Sequence, residues 1–199
     1  MTGRPQSFNE LYRRVDVTTR TRYNAAQRLQ SHHRFSQWVV TLVSVALIAI
    51  PLFQAMNVPL KRSPQLLNSV EVFLAVLVLA YSLLLGNENY SGKSEKMLNC
   101  GLELGRLSRR IYPHLDKPHQ EDLYKELSEE YHDILEKFEN HDPIDYEVYR
   151  INNPSIYYKN KATHVIAWLV VKFKYILGYW HYIGVTLGVI FAILYIFAF

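Results

Sequence analysis

The chain has 199 residues, a net charge of +4 and one cysteine, Cys100, which excludes an internal disulfide and a zinc knuckle built from thiolates. Its mean hydropathy is close to zero, but apolar and charged residues occupy different stretches. Three long apolar runs in so short a chain leave little protein to bury them, so an ordinary soluble domain is excluded.

Residues 1–37 carry seven Arg against Glu10 and Asp16. Beside an apolar run, this basic arm reads as a cytoplasmic helix attracted to anionic lipid, and no direct nucleic-acid binding is expected of it. Residues 38–56, WVVTLVSVALIAIPLFQAM, contain no charge and approach the roughly 20 residues a helix needs to cross the hydrocarbon. Residues 66–86 repeat the signal with one acid, Glu71, and the loop between the runs holds Pro59 and Pro64. The stretch 38–86 is therefore expected to be a transmembrane hairpin. Thr41 and Ser44 lie one turn apart on one face of the first span. Glu71 sits about 7.5 Å inside the outer end of the second by helical rise. All three are candidates to line a pore, Glu71 because an acid buried against lipid is costly.

Residues 87–164 are expected to form a cytoplasmic helical hairpin. Met97, Cys100, Leu104, Leu107 and Ile111 recur at spacings of three and four. After Pro113 and Pro118 the rhythm returns with Tyr124, Leu127, Tyr131, Ile134 and Phe138. Matching seams joined by a short turn pack antiparallel, which makes Leu104, Tyr131 and Phe138 candidates for gating through the seam. Gly101 and Gly105 beside the first seam imply close backbone approach, since each costs about 1 kcal/mol in a helix. Glu126, Glu129, Glu130, Asp133 and Glu136 cover the other faces of the second helix, as a solvated surface or as a dock for the arginine-rich arm.

The stretch ENHDPIDY, residues 139–146, concentrates polar side chains. Pro143 stops the preceding helix, Asn140 tolerates the left-handed conformation that ends helices, and Asp142 or Asp145 can cap the next element. His141, near a helix C-terminus, is expected to favour its protonated form. His141 and Asp145 are retained as candidate gating residues. The chain shows no nucleophile with a placed base, no helix-spaced His/Glu pair beside His141, and no phosphate-binding loop, so neither catalysis nor a metal nor a cofactor is expected.

Residues 165–176 are apolar but carry Lys172 and Lys174, the pattern of an interfacial helix whose lysines snorkel to headgroups. Residues 179–199 contain no charged side chain and extend about 31 Å as a helix, enough for a third span. Gly184, Gly188 and Ala192 recur there every four residues, a stripe suited to helix packing in lipid. Thirteen Lys and Arg lie in residues 87–176 and seven in the arm, against Lys61 and Arg62 in the short loop. That places the N-terminus in the cytoplasm and the C-terminus outside. The fold class expected is all-α: an integral membrane protein with a two-span hairpin, a cytoplasmic antiparallel hairpin and a third span.

The arm TRYNAAQRLQSHHRFSQW, the segment ENYSGKSEKMLNCGLELGRL and the motif FENHDPIDY together resemble the SLATT proteins, bacterial two-span effector domains associated with nucleotide-signal synthases and SLOG sensors in defence operons. The C-terminal helix is similar to that of a subfamily associated with reverse transcriptases. The resemblance implies an anti-phage effector of the bacterial inner membrane that forms pores, or otherwise breaches the membrane, on a cue from such a partner. Three thin helices cannot enclose water by themselves, so a homo-oligomer is expected. The alternative is a non-conducting adaptor that recruits a soluble partner through the acidic hairpin face.

Overall fold

The computed structural model describes residues 7–58, 62–117 and 120–198, with side chains to residue 196. Arg4, Pro59, Lys61, Pro118 and Phe199, which enter the sequence reading, lie outside the described residues. Among the described residues, eight α-helices succeed one another: α1 (Phe8–Ala55), α2 (Pro64–Glu88), α3 (Tyr90–Ile111), α4 (Glu121–Glu136), α5 (Pro143–Asn152), α6 (Pro154–Tyr157), α7 (Lys161–Leu177) and α8 (Trp180–Ala198). There is no strand among the described residues. The protein is an all-α membrane protein: α1 and the stretch 64–114 each contain a segment long and apolar enough to cross a bilayer, and α7 with α8 passes as a broken pair.

Local chemistry sets the boundaries. Ser63 caps α2, its Oγ accepting from the Leu66 N–H at 3.4 Å, and Pro64 occupies the first turn, where a missing N–H has no cost. Asn89 takes φ 45° between α2 and α3, a left-handed step that Asn tolerates. Gly178 and Tyr179 form the turn between α7 and α8.

The chain divides into two compact units, residues 1–30 with 91–175 and residues 31–90 with 176–199. In the first, the expected seam of α3 is buried throughout, with Cys100, Leu104, Leu107 and Ile111 fully enclosed. It meets Tyr124, Leu127 and Ile134 of α4, as the antiparallel hairpin requires, with Tyr131 and Phe138 partly buried at its margin. The core also takes Phe8, Leu11 and Val15 from α1. The arm is therefore the third helix of a bundle rather than a free basic extension, and Arg14, Arg20, Arg22 and Arg28 have partners within the protein. Arg14 pairs with Glu10 at 2.6 Å and Arg20 with Asp16 at 3.0 Å.

In the second unit, Val39, Val43, Ala46 and Ile50 of α1, Leu67 and Leu74 of α2, and Tyr182, Val189 and Ile196 of α8 share one core. Most other large side chains of these helices are exposed, Val72, Phe73, Val76, Leu83 and Phe191 among them. Such a surface suits hydrocarbon, where burial against protein is not required.

The two seam glycines differ in what they accommodate. A Cβ at Gly101 would lie 2.7 Å from Cε1 of Tyr23, whereas one at Gly105 would make an ordinary 3.7 Å contact with the Tyr23 hydroxyl. Gly101→Ala should therefore lower stability by about 1 kcal/mol, overpacking of roughly 1–3 kcal/mol exceeding the helix-propensity gain of about 1. Gly105→Ala should raise it by up to about 1 kcal/mol. Thermal unfolding of the two variants in detergent compares them directly.

Candidate functional site

ENHDPIDY forms a clamp on the arm. Asp145, on the first turn of α5, is 1% exposed at its side chain and accepts from Arg28 of α1, Nε to Oδ1 at 2.8 Å and Nη2 to Oδ2 at 3.1 Å. Arg28 also pairs with Asp142. Asp142 and Asp145 form the capping box that starts α5, with the Asp142 N–H donating to Asp145 Oδ2 at 3.2 Å. Asn24 Nδ2 donates to the Asp145 carbonyl at 3.2 Å. Earlier on α1, Arg22 is 1% exposed. Its guanidinium donates to the Glu139 carbonyl, to Asn140 Oδ1 at 3.4 Å and to Met97 Sδ at 3.3 Å.

Two expectations for this stretch are corrected. Asn140 is not left-handed, since the positive-φ residues among the described ones are Asn57 and Asn89; its amide oxygen serves Arg22 instead. His141 is not biased toward its protonated form. Burial lowers its pKa and the Arg22 charge lowers it further, outweighing Asp145 and Asp142. The helix-dipole argument fails because a nearby full charge and desolvation exceed a partial dipole charge. His141 Nδ1 is buried without a hydrogen-bond partner among the described residues.

Within the chain, the acids of α4 with a described partner pair with α3 and not with the arm. Glu126 and Glu130 pair with Arg110 of α3, because the basic last turn of α3 lies alongside. Tyr131 instead reaches the arm, its hydroxyl 3.0 Å from Thr18 Oγ1. Burial pushes the Cys100 thiol pKa up, which disfavours the reactive thiolate. Among the described residues, no group of His, Cys, Asp and Glu is arranged to hold a metal ion.

The pore-lining candidates fall in the second unit. Thr41 is exposed and lines an open cleft of about 490 Å³ between α1 and α2, together with His33, Ser36, Gln37, Ser82 and Gly86. Ser44 is half-buried and bonds back to the Val40 carbonyl at 2.8 Å. Glu71 is half-buried, and its Oε1 has no hydrogen-bond partner among the described residues. Gln54 Nε2 is likewise buried and unpartnered there. On α8 the buried positions are Tyr182, Val189 and Ile196, whereas a Cβ at Gly184 or Gly188 would meet nothing within 4 Å. Ala192, next in that stripe, is half-buried.

Sequence reasoning missed an aromatic cluster within this unit. His32, 7% exposed, stacks on Tyr179 with centroids 4.2 Å apart and planes at 6°, and on Tyr90 at 5.1 Å and 22°. The Tyr182 hydroxyl donates to the His32 carbonyl at 3.3 Å. The chain passes between the two units near residues 30, 90 and 175, and His32, Tyr90 and Tyr179 each lie within four residues of one of these passages. No local spacing signals such a cluster, because its rings come from three distant stretches.

Asp145→Ala should destabilise the protein by about 3 kcal/mol, since it leaves the enclosed Arg28 guanidinium with the exposed Asp142 as its remaining carboxylate partner. Asp142→Ala, whose side chain is 63% exposed, should cost about 1 kcal/mol or less through its ion pair and a comparable amount through the cap. Chemical denaturation in detergent separates them. For His141 the folded pKa lies below the ordinary 6.5, so the unfolded chain binds more protons and stability falls as pH drops below about 6.5. His141→Asn should flatten that part of the stability profile between pH values on either side of about 6.5, read by thermal unfolding.

The family described as SMODS and SLOG-associating 2TM effector domain family 5 matches residues 4–198. That range includes α8, so the third apolar helix lies within the matched domain. No curated protein and no solved structure matches. With nearly its whole length matched, the chain belongs to the SMODS and SLOG-associating two-transmembrane effector domain family 5.

Proposed function

We propose that the protein is an effector of bacterial anti-phage defence that assembles several copies in the inner membrane and opens a water-filled path on a cue from a partner. The partner would be a nucleotide-signal synthase, a SLOG-type sensor or a reverse transcriptase encoded beside it. The observation that carries this reading is the cleft between α1 and α2. Thr41 and Ser82 face outward there from the two expected spans, with Gln37 just before the first. Lipid tails cannot satisfy those groups, whereas water or a neighbouring copy can. Glu71 lies eleven residues before Ser82 on α2, about three turns, and so on the same face. Its unpartnered oxygen extends the polar line outward. The open stripe of Gly184 and Gly188 supplies a surface for a neighbouring copy.

The cue would enter through the cytoplasmic bundle. Leu104, Tyr131 and Phe138 at its seam, with His141 and Asp145 at the clamp, hold the arm that continues as the first span. The stack of His32, Tyr90 and Tyr179 gathers the three chain passages and would carry a rearrangement of the bundle to the spans.

Potassium or dye release from liposomes containing the purified protein, with and without a candidate activator, tests the proposal. Glu71→Gln should lower cation flux by about tenfold if the carboxylate concentrates cations in the path. His32→Ala should leave insertion and assembly intact while weakening the response to activator. Absence of release by the wild type under every activating condition, with partner recruitment intact, would favour the adaptor reading.

A further inference from the structure

We infer that the outer face of α7 is a lipid-docking surface that lies in the cytoplasmic leaflet, on anionic headgroups. The protein side of the helix is narrow. Val171 is buried, His164 Nε2 lies 2.9 Å from the Ile151 carbonyl oxygen, and Lys174 Nζ donates to both carboxylate oxygens of Glu147 at 3.0 and 3.1 Å. Lys174 is thus turned to α5 and is not a snorkelling residue, which fixes how α7 is rotated. By the helical period, the opposite side carries Val165, Ile166, Leu169, Val170, Phe173 and Ile176. These six side chains are 48–64% exposed.

Three observations identify the occupant as lipid. First, α7 runs through a two-residue turn into α8, so if α8 spans, the end of α7 lies at the membrane surface. Second, Lys172 sits over the Trp168 ring at 5.8 Å, next to the apolar arc; a tryptophan with a lysine belongs at headgroup depth. Third, from residue 148 onward the sequence contains no Asp or Glu, but Arg150, Lys159, Lys161, Lys172 and Lys174. A segment without acids is attracted to an anionic leaflet, whereas the same face of a second copy in a two-fold contact would oppose it with like charge. The inference does not depend on conduction, since a non-conducting adaptor would dock in the same way.

The test uses the full chain with Trp38→Phe and Trp180→Phe, which leaves Trp168 alone of three tryptophans. The protein is reconstituted in phosphatidylcholine vesicles containing phosphatidylglycerol, with lipid brominated either near the headgroup or near the chain end. Shallow bromine should quench Trp168 about twofold more than deep bromine, as expected for a ring at headgroup depth. Stronger quenching by deep bromine would mean that α7 crosses the membrane and would overturn the inference. Quenching by aqueous acrylamide alone would place the face in water. Quenching by neither reagent would place it against protein, a second copy included. Either result overturns the inference. If the tryptophan variant does not fold, a nitroxide on Phe173→Cys gives the same depth through its accessibility to oxygen and to a soluble nickel chelate. Cys100 is buried and should escape the label.

Discussion

Asp145 joins two helices of the first unit, α1 and α5. It neutralises Arg28 on α1, accepts the Asp142 N–H at the start of α5, and sits where the Asp145 carbonyl receives Asn24. A carboxylate so deeply enclosed is tolerable only because its acceptor sites are met by a guanidinium and a backbone N–H. The same contact fixes the rotation of α1 relative to α5, and α5 in turn holds α7 through Glu147 and Ile151. The ion pair thus ties α1, α5 and α7 together beside the apolar core that α1 shares with α3 and α4.

The second unit obeys a different solvent. Its helices bury one narrow line each and leave the remaining apolar side chains outward, an arrangement that would aggregate in water and is ordinary in hydrocarbon. Against that background the informative groups are polar: the α1–α2 cleft, the unpartnered oxygen of Glu71, and the His32 stack. The stack is stabilised by ring contact and by the Tyr182 hydroxyl. It brings His32, Tyr90 and Tyr179, from three distant stretches of chain, together within one unit.

Much of this fold was legible in the sequence. The spacing of Met97, Cys100, Leu104, Leu107 and Ile111 marked the buried face of α3 correctly, since a 3.6-residue period leaves one stripe for a partner helix. Asp142 and Asp145 were recognisable as caps because Pro143 fixes where a new helix begins. The glycines of α3 were read as places of close backbone approach, whereas Gly101 makes room for the Tyr23 ring and Gly105 has ordinary space. The protonation of His141 was misread because a helix end is visible in sequence, whereas the buried Arg22 beside it belongs to another helix.

The sequence by itself determined the all-α class, the apolar stretches long enough for a membrane, and the family, because each depends on local periodicity or on residues in order. Tertiary structure alone decided that the basic arm is a core helix, that Lys174 faces Glu147 while Lys172 does not, and that ENHDPIDY grips Arg28 and Arg22. These outcomes depend on pairings between separate stretches of chain, 117 residues apart for Arg28 with Asp145. Charge is visible in a sequence, but the partner that neutralises it is chosen only when helices pack.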